Sequence, residues 1–293
     1  MSLQEFVIQL LAGLSRAGLL FTVSAGLTLV FGALRVINLA HGSLYMVGAF
    51  VTSSVVTVTG SDLGLVAALV ASAAVAGVIG LAVETGVLRR LYREEHLLQL
   101  LATYGIVLIV ADLVRMIWGS SVRSVSQPAG LRGSVDVLGS PFPAYGLFVI
   151  AFGLAVGAAL WLLINRTGLG RDIRAAIADP EMLGGVGVNR PRLFTSVFVV
   201  GSALAGLAGA VVAPSTSVSP GMDIEIIVQA FAVTIIGGLG SIPGALAGAV
   251  IVGLTYSFGI FFAPRLSLAF IFAAMVVVLS VRPSGLFGVP ERA

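Results

Sequence analysis

Cysteine is absent from all 293 residues. Disulfides, thiolate chemistry and cysteine-held metals are excluded with it. The two histidines, His41 and His96, lie far apart and argue against a histidine-built metal centre. Charge is also scarce. Charged residues make up 10% of the chain, whereas a soluble domain carries about 25%. The apolar stretches are almost free of acids, although ion-coupled transporters usually keep ionisable groups inside their bundles. Asp112 comes nearest, and Arg115 follows it three residues on. No GxxxxGK[ST] loop accompanies the glycine clusters, so nucleotide binding on this chain is rejected. No carboxylate pair or nucleophile–base set suggests an enzyme site. The start, MSLQEFVIQLLAGLSRAG, carries Glu5 instead of a basic leader and is not read as a cleavable signal peptide.

What is present is apolar surface. The chain is 58% hydrophobic, with a mean hydropathy of +1.10. No water-soluble fold of this length hides so much of it. The expected fold is all-α, a polytopic integral membrane protein of roughly eight to ten spans, some broken or re-entrant. Residues 1–293 form a single transmembrane domain on this reading. Small residues recur four apart from 193 to 264: Gly201, Ala205 and Gly209, then Gly240, Gly244 and Gly248. Such faces let helix backbones approach closely.

Residues 1–15 read as a short interfacial helix, because Arg16 is costly deep in lipid. The first full span is then 17–34. Arg35, Asn38 and His41 follow at a spacing of three. They precede an apolar run at about 42–59 and form either a polar cap between two spans or a break buried in protein that lines a pathway. Residues 63–83 are a clean span, and 84–96, with Arg89, Arg90 and Arg93, read as a surface amphipathic helix. The 97–118 span carries Asp112 and Arg115, as an interfacial ion pair or as a polar feature of a route. Residues 119–144 form an outside loop. After a span ending near Trp161 comes the long basic loop 166–192, whose five arginines make its side cytoplasmic. Its helix from Gly170 has Ile173 and Ile177 on an apolar face and either docks a protein or only solvates the loop. A span over 195–213 and an outside loop at 214–225 follow. GGLGSIPG then breaks the chain after a short run at 226–240, before spans at 245–262 and 267–281. Arg282 and Arg292 place the terminus inside. About nine crossings with the N-terminus outside result, provided that 17–34 and 226–240 both cross. A loose internal symmetry relates the breaks near 32–48 and 237–253. With no energy source on the chain, a passive channel stays open beside partner-driven transport. Hydroxyls and backbone dipoles are the expected pathway contacts, without a fixed charge.

Three segments together carry a resemblance: GLTLVFGALRVINLAHGSLYMVGAF (26–50), RTGLGRDIRAAIADPEMLGGVGVNRPRLFTSVFVVGSALAGLAGAVVAP (166–214) and AFAVTIIGGLGSIPGALAGAVIVGL (230–254). The terminal RPSGLFG (282–288) fits as well. The chain resembles membrane permease subunits of the branched-chain amino-acid ABC importers, of the high-affinity leucine/isoleucine/valine type. The resemblance implies a bacterial inner-membrane permease for branched-chain or other neutral amino acids, with urea or short amides as the alternative substrates. It implies a second related permease, two cytoplasmic ATPases and an extracytoplasmic solute-binding protein as partners. No nucleic-acid partner is expected. ATP and Mg belong to the ATPases, with no cofactor, metal or catalytic residue on this chain. Residues 166–192 would hold the coupling helix, with Arg171, Arg174, Asp179, Glu181 and Gly184 as the ATPase contact. Arg35, Asn38, His41 and Gly42 match the first family motif. Gly237, Gly238, Gly240, Ser241 and Gly244 match the late one, and both motifs are assigned to the translocation core.

Overall fold

A computed structural model describes residues 1–92, 94–178, 183, 185 and 187–288, with the side chains of 61–63 set aside. It is helical apart from one small hairpin. Helix α1 (Leu3–Leu34) is continuous over 32 residues, about 48 Å. The expected division at Arg16 does not occur. Ser2 and Glu5 form a capping box: Ser2 Oγ accepts from the Glu5 N–H at 3.1 Å, and the Glu5 carboxylate accepts from the Ser2 N–H at 2.7 Å. Glu5 therefore starts a long helix. Arg16 does not end it, because protein surrounds the guanidinium.

Helix α1 ends at Arg35, which adopts the left-handed conformation (φ 54°) and donates its N–H to the Phe31 carbonyl at 2.8 Å. Helix α2 (His41–Thr59) follows. Helix α3 (Ser61–Val83) runs without a break through a π-helical turn, Glu84–Leu88, into a last turn, α4 (Arg89–Leu91). The expected surface helix at 84–96 is thus largely the end of a crossing. Arg93 lies outside the described residues. Helix α5 (His96–Trp118) leads to a loop that holds more order than expected. There β1 (Ser134–Val137) and β2 (Ser140–Pro143) pair antiparallel across Leu138 and Gly139. Both turn residues have positive φ, and the Asp136 carboxylate accepts from the Gly139 N–H at 2.7 Å. That is the geometry of a tight two-residue hairpin.

Then come α6 (Ala144–Arg166), α7 (Gly168–Ala178), α8 (Arg190–Val212), α9 (Met222–Gly237), α10 (Ile242–Phe262) and α11 (Ser267–Val281). Among the described residues, eight helical stretches have the length and apolarity to cross a membrane. Helix α9, at 16 residues, spans about 24 Å, short of the ~30 Å of a hydrocarbon core. It still runs from one face of the bundle to the other.

The faces are identified by contacts. Gln4 Nε2 donates to the Leu138 carbonyl at 2.9 Å, and Arg123 and Val218 exchange backbone hydrogen bonds of 2.8 Å. The start of α1, the hairpin loop and the 213–221 loop therefore share one face. The other face carries α7, the α9–α10 turn and residues 282–288, with Arg166, Arg171 and Arg174 among them, and is the face expected to be cytoplasmic. Arg292 lies outside the described residues.

Helices α1, α2 and α8 form the inner layer with α9. The apolar window of α1 is 83% covered by protein, whereas that of the last crossing is 6% covered. The inner contacts are made by glycine. Gly26 of α1 lies against Gly201 of α8, where an added methyl would come 2.6 Å from the Gly201 carbonyl oxygen. Gly48 of α2 lies under the Gly206 carbonyl with no room for a methyl. The small-residue face of α8 thus serves two partners: Gly201 meets α1 and Gly209 meets α2. A Ser72 hydroxyl from α3 donates to the Gly48 carbonyl at 2.8 Å and ties a third helix to that seam.

Candidate transport core

The first break is buried in protein. Arg35, Asn38 and His41 do not share a helical face, because residues 35–40 are not helical. Arg35 is exposed at the end of α1. The chain then turns back into the bundle, and His41 Nε2 lies 2.9 Å from the Val23 carbonyl oxygen. Val23 is about 17 Å back along α1 from Leu34. Asn38 and His41 are fully buried there. Neither polar atom of the Asn38 amide has a hydrogen-bond partner among the described residues. Gly42 touches the start of α9: a methyl there would lie 2.6 Å from the Asp223 carbonyl oxygen. Ser43 Oγ donates to the buried Asp223 carboxylate at 3.0 Å.

The second break is a tight turn on the face that carries α7. Gly238 and Gly240 have φ of 103° and 81°, which side chains rarely adopt. Ser241 caps α10, accepting from the Gly244 N–H at 3.1 Å. Gly237 and Gly244 face each other so closely that neither has space for a methyl. The RPSGLFG segment covers this turn. Leu286 and Phe287 donate their N–H groups to the Ile236 and Gly237 carbonyls at 2.9 Å each. These are end carbonyls of α9 that the helix itself leaves unpaired. The sequence alone gives this segment no role.

The two breaks meet. Gly32, near the end of α1, lies against Gly240, with 2.8 Å from an added methyl to the Gly240 Cα. Ile177 of α7 reaches the same point, 3.4 Å from that methyl position. Helix α7 is strongly amphipathic. Gly170, Ile173 and Ala176 are buried against α6, α1 and α8, while Arg171 and Arg174 are exposed. Gly170 brings the backbone of α7 against the Ile164 carbonyl, which also accepts from the Arg174 guanidinium. Asp179, Glu181 and Gly184 lie outside the described residues.

Asp112 and Arg115 pair at 3.1 Å, and both are largely exposed on the outer surface of α5. That exposure supports the ion-pair reading over the route. Two buried polar sets escaped the sequence reading. Glu84 is fully buried; its carboxylate accepts from Arg89 at 3.0 Å, Tyr92 at 2.9 Å and Thr195 at 2.8 Å, joining α3 to α8. Burial first, and the Glu84 carboxylate second, raise the Tyr92 phenol above its ordinary pKa, so it stays a donor. The other set is Arg16, whose Nη2 donates to Gln229 Oε1 at 2.7 Å and lies 3.7 Å from Glu225. Its guanidinium stacks 4.8 Å over the Tyr256 ring. An arginine inside an apolar run was the available signal, and Glu225 and Gln229 one helical turn apart were the matching one.

Residues 9–279 match the family described as the permease component of branched-chain amino acid transport systems. The chain belongs to this family. The permease is 30% identical over 302 residues to the high-affinity branched-chain amino acid transport system permease protein BraD of Pseudomonas aeruginosa, covering 98% of this chain and 97% of the relative. It is 30% identical over 308 residues to LivH, a permease protein of the same description from Escherichia coli K12, covering 98% and 96%. A probable branched-chain amino acid transport permease from Methanocaldococcus jannaschii is 31% identical over 253 residues, covering 82% and 77%. No solved structure matches the permease. Its family is one of transport subunits, not enzymes, and it is a multi-pass membrane protein working as one component of a transport system.

Proposed function

We propose that this permease moves branched-chain or other neutral amino acids inward across a bacterial inner membrane as part of an ABC importer. A second related permease completes the membrane unit. Two cytoplasmic ATPases bind ATP and Mg and drive it, and an extracytoplasmic binding protein delivers the solute. The observation that carries this reading is the position of α7. A short helix outside the bundle rests its apolar face on α6 and α1 and presents Arg171 and Arg174 outward. Its Ile177 reaches the point where Gly32 and Gly240 bring the two helix breaks together. A push on α7 is thereby transmitted to both breaks without passing through flexible chain. Glycine contacts there let helices tilt at small steric cost. The substrate class rests on the near full-length similarity to permeases of branched-chain amino acid systems.

The test is reconstitution. The permease, purified with its partner permease and ATPases, should take up leucine or valine into liposomes only with ATP and the binding protein present. Uptake of urea or acetamide instead would overturn the substrate class. Passive solute flow through the pure chain would overturn the importer reading.

A further inference from the structure

The outer half of the bundle holds a cleft of about 550 Å³ between α1, α6, α10, the end of α8 and the hairpin. That volume is in the range of small-molecule sites. Below it, α1 and α6 touch backbone to backbone: a methyl on Gly153 would lie 2.6 Å from the Gly18 Cα. The cleft is thus closed toward the cytoplasm between these helices and lies beside the hairpin. Its walls are largely aliphatic, with Leu19, Val149, Val211 and Ile260 among them. Gln127 and Thr216, on the outer loops, give it a polar rim.

One charged side chain lines this space, Arg16. Nη2 is used by Gln229, and the face of the guanidinium lies on Tyr256. Nε is buried and has no hydrogen-bond partner among the described residues. No carboxylate lines the cleft; Glu225 stands 3.7 Å away on the Nη2 side, with its side chain 63% exposed. Nη1 makes no hydrogen bond among the described residues either and, unlike Nε, is not buried, so the Nη1 end of the guanidinium is the edge left for a carboxylate. Leaving that edge empty beside apolar walls is costly, and filling it gives a charge-assisted pair.

We propose that this cleft is a substrate waypoint for an aliphatic α-amino acid. The carboxylate takes the free edge of Arg16, the side chain lies on the aliphatic walls, and the ammonium faces the polar rim. This rests on the amino-acid importer reading above, and it replaces the expectation of a pathway without a fixed charge. The waypoint selects for a free carboxylate, so it rejects urea and neutral amides.

Because the chain has no cysteine, Ala12→Cys places a single thiol of this subunit in the cleft wall. In the assembled importer, with cysteine-free partners, the rate of its modification by a cationic methanethiosulfonate reads occupancy. Millimolar leucine is expected to slow modification by about threefold or more, and leucinamide, which lacks the carboxylate, is not. Adding Arg16→Met should abolish the protection. Arg16→Lys, a charge without the fork, should weaken it about tenfold and decides the matter if the Met variant fails to assemble. Equal protection by leucinamide and leucine overturns the proposal, as does protection that survives both Arg16 substitutions. No protection in an importer that takes up leucine also overturns it. An importer that takes up urea or acetamide but not leucine shows instead that the amino-acid reading has failed.

Discussion

Two glycines separate crowding from helix propensity. Gly48 has the Gly206 carbonyl on top of it, whereas nothing lies within 4 Å of a methyl placed on Gly105 in α5. Gly48→Ala must push α2 from α8 and is expected to cost about 1–3 kcal/mol. Gly105→Ala relieves a helical glycine and is expected to gain about 0.5–1 kcal/mol. Thermal unfolding in detergent reads both, and equal midpoints would contradict the packing of α2 on α8. Glu84 poses a different problem, since three donors converge on one buried carboxylate. Tyr92→Phe removes one donor and should cost about 1 kcal/mol. Glu84→Ala strands all three and should lower the unfolding midpoint further. A Tyr92 phenol raised by burial stays protonated through the neutral range, so the difference between wild type and Tyr92→Phe should not change between pH 6 and pH 9.

Among the elements, the C-terminal segment and α7 act on the same turn from different sides. Ending the chain after Ser284 removes the two N–H donors that cap α9. Hydrogen exchange at Gly238 and Ser241 should then rise by about tenfold or more, because the turn loses its cover. An unchanged rate would mean that the glycine turn holds itself. In α7, Ile173 is 1% exposed and anchors the helix to the bundle. Ile173→Asp places a charge in that contact and is expected to release α7. The assembled importer should then lose the stimulation of ATP hydrolysis by the loaded binding protein. Retained stimulation would show that α7 does not carry the force.

For the whole molecule, Gln4 joins the hairpin, while Gly32 and residues 286–287 join the α9–α10 turn, so the two ends of the described chain lie on opposite faces and the number of passes is odd. A single cysteine at Gln4 should react with a membrane-impermeant maleimide in intact cells. One at Ser284 should react only after the membrane is opened. The same outcome at both positions would contradict the nine-pass arrangement. The layered burial, with α1 central and α11 outermost, places much of α5, α6 and α11 on lipid or on other subunits.

Local and additive properties were legible in the residues alone. Hydropathy marked the crossings, and glycine with proline marked the second break. Each of these depends on a short window, because lipid and backbone strain act on a segment without reference to distant ones. The rest depended on partners remote in the chain. Arg16 reads as a barrier to insertion until α9 brings Gln229 beside it from 213 positions away. Asn38 and His41 read as one polar helix face until the backbone turns inward beside Val23. The RPSGLFG segment has no visible task until the end carbonyls of α9 lie next to it. A buried polar group is acceptable only with a partner or a purpose. Which partner it finds is decided by packing, so the sequence determined the membrane fold, while the cleft, the meeting of the two breaks and the seat of α7 were decided by the tertiary structure.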